Sequence, residues 1–380
     1  MSRTNQPDPY SEGINPDPHR QENEACVRAV CAASLEEIRR YQRGVIQSSD
    51  HQIQPINRED ARRFARFAPT VANDPRAFTP YELSEDPVGD PAIPLDLECS
   101  RAMAKAADYH RAAYFAEDDE LRRIYGTNAP AVRAEGISKA LARKIRLLIT
   151  DPLDGSHQMA GFNQPGAYGP AAMTVSPSGS IAVAVAVGTG EMLIVDCEPR
   201  EGLERVTWTN PLDPWAETQI YPSAEVISRR HHMNVWVLPA YKLKSIEVAS
   251  RIMMAANHEA LPPHVRPELV APLGGNPGIL SSLILAPAGA VAAFQPQSWG
   301  WDQFVFVIAA ALGLPVADVQ TGEFFTAWSL ASRLLKDLSL GVKSAPPVAA
   351  KTHLDLNAIR SSILSSGILQ ESPTPTLEQE

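Results

Sequence analysis

Apolar residues recur along this chain with two periods, and the places where each period breaks are as informative as the runs. From Ala25 to about Ile46, Val27, Val30, Leu35, Ile38, Tyr41 and Val45 follow one another at three or four residues, a helical spacing. Ser34 followed by Glu37 has the form of a capping box and predicts a second helix or a restart there. Leu95 opens another helical segment that runs to about Ala113. Ala113 to Ala116 is a short apolar strand ending in the acids Glu117, Asp118, Asp119 and Glu120. Lys144 to Thr150 is apolar enough for a strand. Ala171–Val175, Ile181–Val187 and Met192–Val195 then read as three strands of an antiparallel meander, with turns at Ser176–Ser180 and Gly188–Gly190. Further on, Val235–Leu238 reads as a strand and Ser245–Asn257 as a helix. Ile279–Ala286 follows as an amphipathic helix, Gly289–Gln295 as a buried strand and Gln303–Leu312 as an apolar helix stopped by Gly313. Val316–Val319 closes the pattern as a strand. Strands and helices are mixed throughout, which predicts an α+β or α/β fold.

A chain of 380 residues can bury a large core and predicts two domains or one bilobal unit. Polar, Pro-rich residues 1–24 read as a disordered tail, 25–198 as a first lobe, and 199–224 as a connection rich in Pro, Trp and charge. Residues 225–345 read as a second lobe and 346–380 as a partly mobile C-terminal tail. A net charge of −10 without a broad basic stripe argues against a nucleic-acid partner. The longest apolar run, Phe304–Leu314, is too short to span a membrane. The polar start lacks the form of a signal peptide. Cys26, Cys31, Cys99 and Cys197 fit no zinc spacing and read as free thiols of a reducing, cytoplasmic compartment.

The most informative stretch is Ile149-Thr150-Asp151-Pro152-Leu153-Asp154-Gly155-Ser156. Pro152 bars helix at Asp151 and removes a backbone donor, so the two acids are expected on a turn at the end of a strand, with the Leu153 carbonyl between them. Carboxylates plus a backbone oxygen suit a hard divalent cation. A helix starting near Gly155-Ser156 would turn its free N–H groups to the same spot and suit a phosphate. The acids after Ala116 read equally as a solvated loop, and Asp302, directly before an apolar helix, reads alone as an N-cap.

This stretch resembles the Asp-Pro-Ile/Leu-Asp-Gly-Thr/Ser signature of the inositol monophosphatase and fructose-1,6-bisphosphatase superfamily of Mg²⁺-dependent phosphatases. Ala116-Glu117-Asp118 resembles the family's Gly/Ser-Glu-Glu step, with Ala for the small residue and Asp for the second Glu. The separation from Asp151 is lengthened by a basic segment over 122–144 (Arg122, Arg123, Arg133, Lys139, Arg143, Lys144). Residues 274–322 resemble the later family block, with Trp301-Asp302 as its Trp-Asp pair, closer to the inositol monophosphatase branch. The resemblance spans roughly residues 30 to 335. It implies a layered αβαβα sandwich of the sugar-phosphatase type, two lobes with the active site between them. It also implies two or three Mg²⁺ ions, with Mn²⁺ as a substitute, inhibition by Li⁺, and often a homodimer. The implied ligands are Glu117, Asp151, the Leu153 carbonyl, Asp154 and Asp302, with the phosphate on the backbone of Gly155 and Ser156. Ser156 would orient a nucleophilic water and Asp96 would hydrogen-bond that hydroxyl, although Asp96 serves equally as an N-cap. Gln295 stands where the family often has a substrate-binding Glu, and keeps an acceptor without the charge. His157 adjoins the signature and reads either as a leaving-group contact or as a surface residue. Arg229, Arg230, His231 and His232 read as a second phosphate contact or a solvated edge. The substrate expected is a small phosphorylated polyol, sugar or related metabolite, or a 3′-phosphorylated nucleotide. A protein of this fold that binds a phosphorylated ligand without catalysis is the alternative.

Overall fold

The structure is a computed structural model that describes residues 18–50, 94–117, 129–155, 166–199, 204–210, 219–220, 234–237, 246–259, 261–271, 275–285 and 292–369. Its first sheet follows chain order: β1 (Ala113–Ala116), β2 (Leu147–Asp154), β3 (Gly169–Val175), β4 (Ile181–Ala186), β5 (Met192–Cys197), β6 (Arg205–Thr209) and β7 (Gln219–Ile220). Only β1 and β2 are parallel, joined by a crossover containing α3 (Ala129–Ala142); the remaining pairs are antiparallel. A second sheet has the order β11-β12-β10-β8-β9, built from β8 (Val235–Val237), β9 (Leu269–Ala271), β10 (Ala292–Phe294), β11 (Val316–Asp318) and β12 (Pro347–Ala350).

Side-chain alternation explains how helices sandwich these sheets. On β4, Ile181, Val183 and Val185 enter one core, while Ala182, Ala184 and Ala186 enter another. The alanine face receives α1 (Pro18–Asp50) and α2 (Pro94–Tyr109) through Val27, Val30, Leu35, Ile38, Leu95 and Met103. The larger face packs on a middle layer of α3, α5 (Gly275–Ile279), α6 (Phe304–Ala311) and α7 (Ala327–Leu340). That layer also meets one face of the second sheet, through Val237, Ala293, Val316 and Ala349. The opposite face, with Trp236, Phe294 and Val348, is covered by α4 (Ile246–Ala256) and α8 (His353–Ser365). The molecule is therefore the layered αβαβα sandwich expected. No helix among the described residues is long and apolar enough to cross a membrane.

Several boundaries differ from expectation. α1 starts at Pro18 and runs unbroken through Ser34, because Ser34 is fully buried and serves a contact outside the helix rather than a cap. The stretch 199–224, expected as a connection, carries β6 and β7, which extend the first sheet. Residues from 346, expected as a tail, hold β12 and α8. Pro347 opens a strand that lies between β10 and β11. The helix expected from Ile279 is instead α5, which begins at Gly275 and continues as a π turn over Leu280–Leu285.

Candidate metal centre

The signature is shaped by the strand that enters it. β2 does not end at Thr150 but runs to Asp154, with a shift of register against β3 between Asp151 and Asp154. Pro152 has no N–H to give the ladder, so the break in pairing falls where the chain cannot pair. Ser34 Oγ of α1 donates to the Pro152 carbonyl at 2.7 Å, and Cys99 Sγ donates to the Ser34 carbonyl at 3.8 Å. Two residues earlier, Thr150 Oγ1 donates to the Tyr114 hydroxyl at 3.1 Å, which lies 3.1 Å from Ser100 Oγ. Gly155 then turns with φ +82°, and a Cβ there would overlap the Ala167 carbonyl, so only glycine fits.

Three acids converge beyond this strand. Ala116 pairs with Thr150 in parallel register, and the Glu117 N–H donates to the Thr150 carbonyl at 3.1 Å, which sets Glu117 beside Asp151. Asp302 arrives from the middle layer, in a 3₁₀ turn over Gly300–Gln303 that leads into α6. One carboxylate oxygen from each of Glu117, Asp151 and Asp302 lies within 4.8 Å of the other two. Asp151 is buried, and Glu117 and Asp302 are half-buried. Asp302 is not the N-cap expected: Trp299 caps the turn and Gln303 precedes α6, while Asp302 is the third residue of the turn, its Oδ2 accepting from the Trp299 N–H at 3.1 Å. Carboxylates this close repel one another, and burial strengthens that repulsion. A hard divalent cation relieves it, and oxygen donors from three segments are the set such a cation takes.

Asp154 is not in that trio. Its Oδ2 accepts from the backbone N–H of Asn276 at 2.5 Å and from Asn276 Nδ2 at 2.8 Å. Asn276 is fully buried and ties three elements together. Its Nδ2 also reaches the Trp301 carbonyl at 2.8 Å, and its Oδ1 accepts from the Val305 N–H at 2.8 Å. Gly275, at φ +82°, leaves room for the Asp154 carboxylate where a Cβ would overlap it. Asn276 and Gly275 were visible in the sequence only as part of Gly274-Gly275-Asn276-Pro277-Gly278; the sole local signal was an Asn following glycines.

Among the other expected residues, Asp96 is buried in the first turn of α2. Gln295 is buried just after β10, its N–H donating to the Pro347 carbonyl at 3.1 Å. Leu153 buries its side chain against the α1–α2 layer. Ser156, His157 and the cluster Arg229–His232 lie outside the described residues. Arg133, read only as part of a basic segment, is buried on α3 and donates to the Glu117 carbonyl.

No protein-family model matches this chain, and no curated protein does. Solved structures similar to it include an IMPase/NADP phosphatase complexed with Mg²⁺ and phosphate, at 13% identity over 73% of this chain and 81% of that one, with a TM-score of 0.40. An inositol monophosphatase family protein from Staphylococcus aureus MSSA476 is similar at 11% identity over 74% and 86%, TM-score 0.38. The extragenic suppressor protein SuhB from Bartonella henselae is similar at 12% identity over 70% and 87%, TM-score 0.38.

Proposed function

We propose that this protein is a metal-dependent phosphatase that hydrolyses the phosphate monoester of a small polyol, sugar or related metabolite. The observation that carries this reading is the convergence of Glu117, Asp151 and Asp302 from three distant segments, each within a motif that resembles the phosphatase family. Mg²⁺ is the expected ion, with Mn²⁺ as a substitute. Bound divalent cations supply neutralising charge for the phosphate and an acidified water.

The chain's own groups do the rest. Glu117, Asp151 and Asp302 would hold the ions, and Asp154, aimed by Asn276 and by the space at Gly275, would join them. The Leu153 carbonyl completes the set. The backbone of Gly155 and Ser156 receives the phosphate, as N–H groups at a turn do. On this reading Asp96 would accept from the Ser156 hydroxyl and so fix which lone pair that hydroxyl offers to the attacking water. Gln295 and His157 would contact the alcohol portion of the ester. Phosphate monoesters hydrolyse extremely slowly unaided, so positioning and charge supply most of the acceleration.

The test is phosphate release from inositol, hexose, heptose and 3′-nucleotide phosphates with and without Mg²⁺, for the wild type and Asp151→Asn. Mg²⁺-dependent release that the variant lowers by at least about a thousandfold supports the reading; the loss expected follows from how much electrostatic stabilisation the site provides. Full activity in the variant places the chemistry elsewhere. Retained affinity for a phosphorylated ligand with no hydrolysis in the wild type favours a binding protein on this fold.

A further inference from the structure

The helix between Glu117 and Asp151 brings a cation into the interior. Arg133 of α3 is 4% exposed, and a buried guanidinium is costly unless its donors and its charge are met. One Nη donates to the main-chain carbonyl of Glu117 at 2.5 Å. The guanidinium carbon lies 5.7 Å from the centre of the Trp301 ring, within the range of a cation–π contact. One contact thus falls on an acid of the first sheet and the other on the residue directly before Asp302. These are the two arms that must meet over Asp151.

α3 is itself fixed in place. Gly136 lies so close to the Phe115 ring that a Cβ would overlap it. Ile137 and Ala140 are part of the central core, and Ser138 Oγ donates to the Ser339 carbonyl of α7 at 2.9 Å. A helix held on both flanks delivers its arginine to a set position.

We propose that Arg133 is a positioning residue of the metal centre. It clamps the Glu117 carbonyl and the face of Trp301, so that the carboxylates of Glu117 and Asp302 are already spaced to share divalent cations before any arrive. The inference rests on the metal-centre reading above. Arginine suits this task because one planar group donates and stacks at once, which an ammonium cannot do. Residues behind a metal's ligands commonly carry about 10–100-fold of its affinity.

The experiment follows Mn²⁺ binding to the full chain by the loss of the free-ion electron paramagnetic resonance signal. Urea unfolding without divalent ions and phosphate release are measured on the same samples. In Arg133→Met, Mn²⁺ binding is expected to weaken at least tenfold, with a matching rise in the Mg²⁺ concentration for half-maximal activity. Arg133→Lys, which keeps the charge, is expected to stay at least fivefold weak. Tighter binding in Arg133→Met, or wild-type binding in Arg133→Lys, shows that only charge matters and overturns the proposal. Lower urea stability with unchanged Mn²⁺ affinity in either variant makes Arg133 purely structural and also overturns it. A wild-type chain that takes up no Mn²⁺ defeats the metal centre itself, an outcome distinct from any difference among the variants.

Discussion

At the scale of single residues, the acids of the proposed metal centre are placed by their neighbours, which decide where the acids point. Asn276 spends its whole carboxamide on Asp154, Trp301 and Val305. Asn276→Ala removes these partners from buried groups, so it should cost about 3 kcal/mol of unfolding free energy, read from urea curves, given the price of orphaned polar atoms. Gly275→Ala should do less to stability and more to activity, because its methyl displaces the Asp154 carboxylate; at least a hundredfold loss of phosphate release with a cooperative unfolding transition is the expected result. The meeting of Glu117, Asp151 and Asp302 was legible in the sequence because their types and their order repeat a known pattern, whereas Asp154, expected with them, lies against Asn276. Asn276 and Arg133 were not, since a lone Asn or Arg carries no spacing signal. Their importance comes from what the chain folds against them.

At the scale of elements, most strands and helices were legible from periodicity, and the misses have physical causes. β6 and β7 were hidden in a charged, Pro-rich stretch, since an edge extension needs little apolar content when one strand already pairs with its neighbour. β12 was hidden because it is only four residues long and opens on a proline. Ser34 looked like a cap because its local neighbours fit one, yet α1 passes straight through it and its hydroxyl crosses to Pro152. That cross-element bond is testable. Ser34→Ala should lower stability by about 1 kcal/mol, the usual net worth of such a bond, and should also raise the Mg²⁺ requirement, because the turn between Asp151 and Asp154 loses its anchor. A stability loss alone, with metal dependence unchanged, would show that the turn is held by β2 and not by α1.

At the scale of the whole molecule, burial governs how the protein answers to pH. The four cysteines are all buried and free. Burial pushes the Cys26 thiol from 9.0 up to about 11, and it raises those of Cys31, Cys99 and Cys197 as well. A raised folded value means the contribution to stability is complete below the unfolded pKa and is lost as pH climbs through the folded one. Stability should therefore fall between about pH 9 and 11, by roughly 1.4 kcal/mol per pH unit for each thiol that ionises only on unfolding. Urea titrations across that window check this, and a thiol reagent at pH 8 should label the native chain only at the rate of its unfolding. The layered architecture was legible in outline, whereas the pairing order of the second sheet was not, because its three-residue strands are too short to show a period. One more consequence comes from the alanine face of β4. Ala182, Ala184 and Ala186 keep the sheet thin beneath α1, and a hydroxyl as short as serine's reaches Pro152 only while that helix stays low. The valine and isoleucine face opposite can drift among aliphatic side chains of similar bulk. The alanine positions cannot grow without lifting α1 off the turn between Asp151 and Asp154, so relatives of this chain should tolerate exchange on one side of this ribbon and resist it on the other.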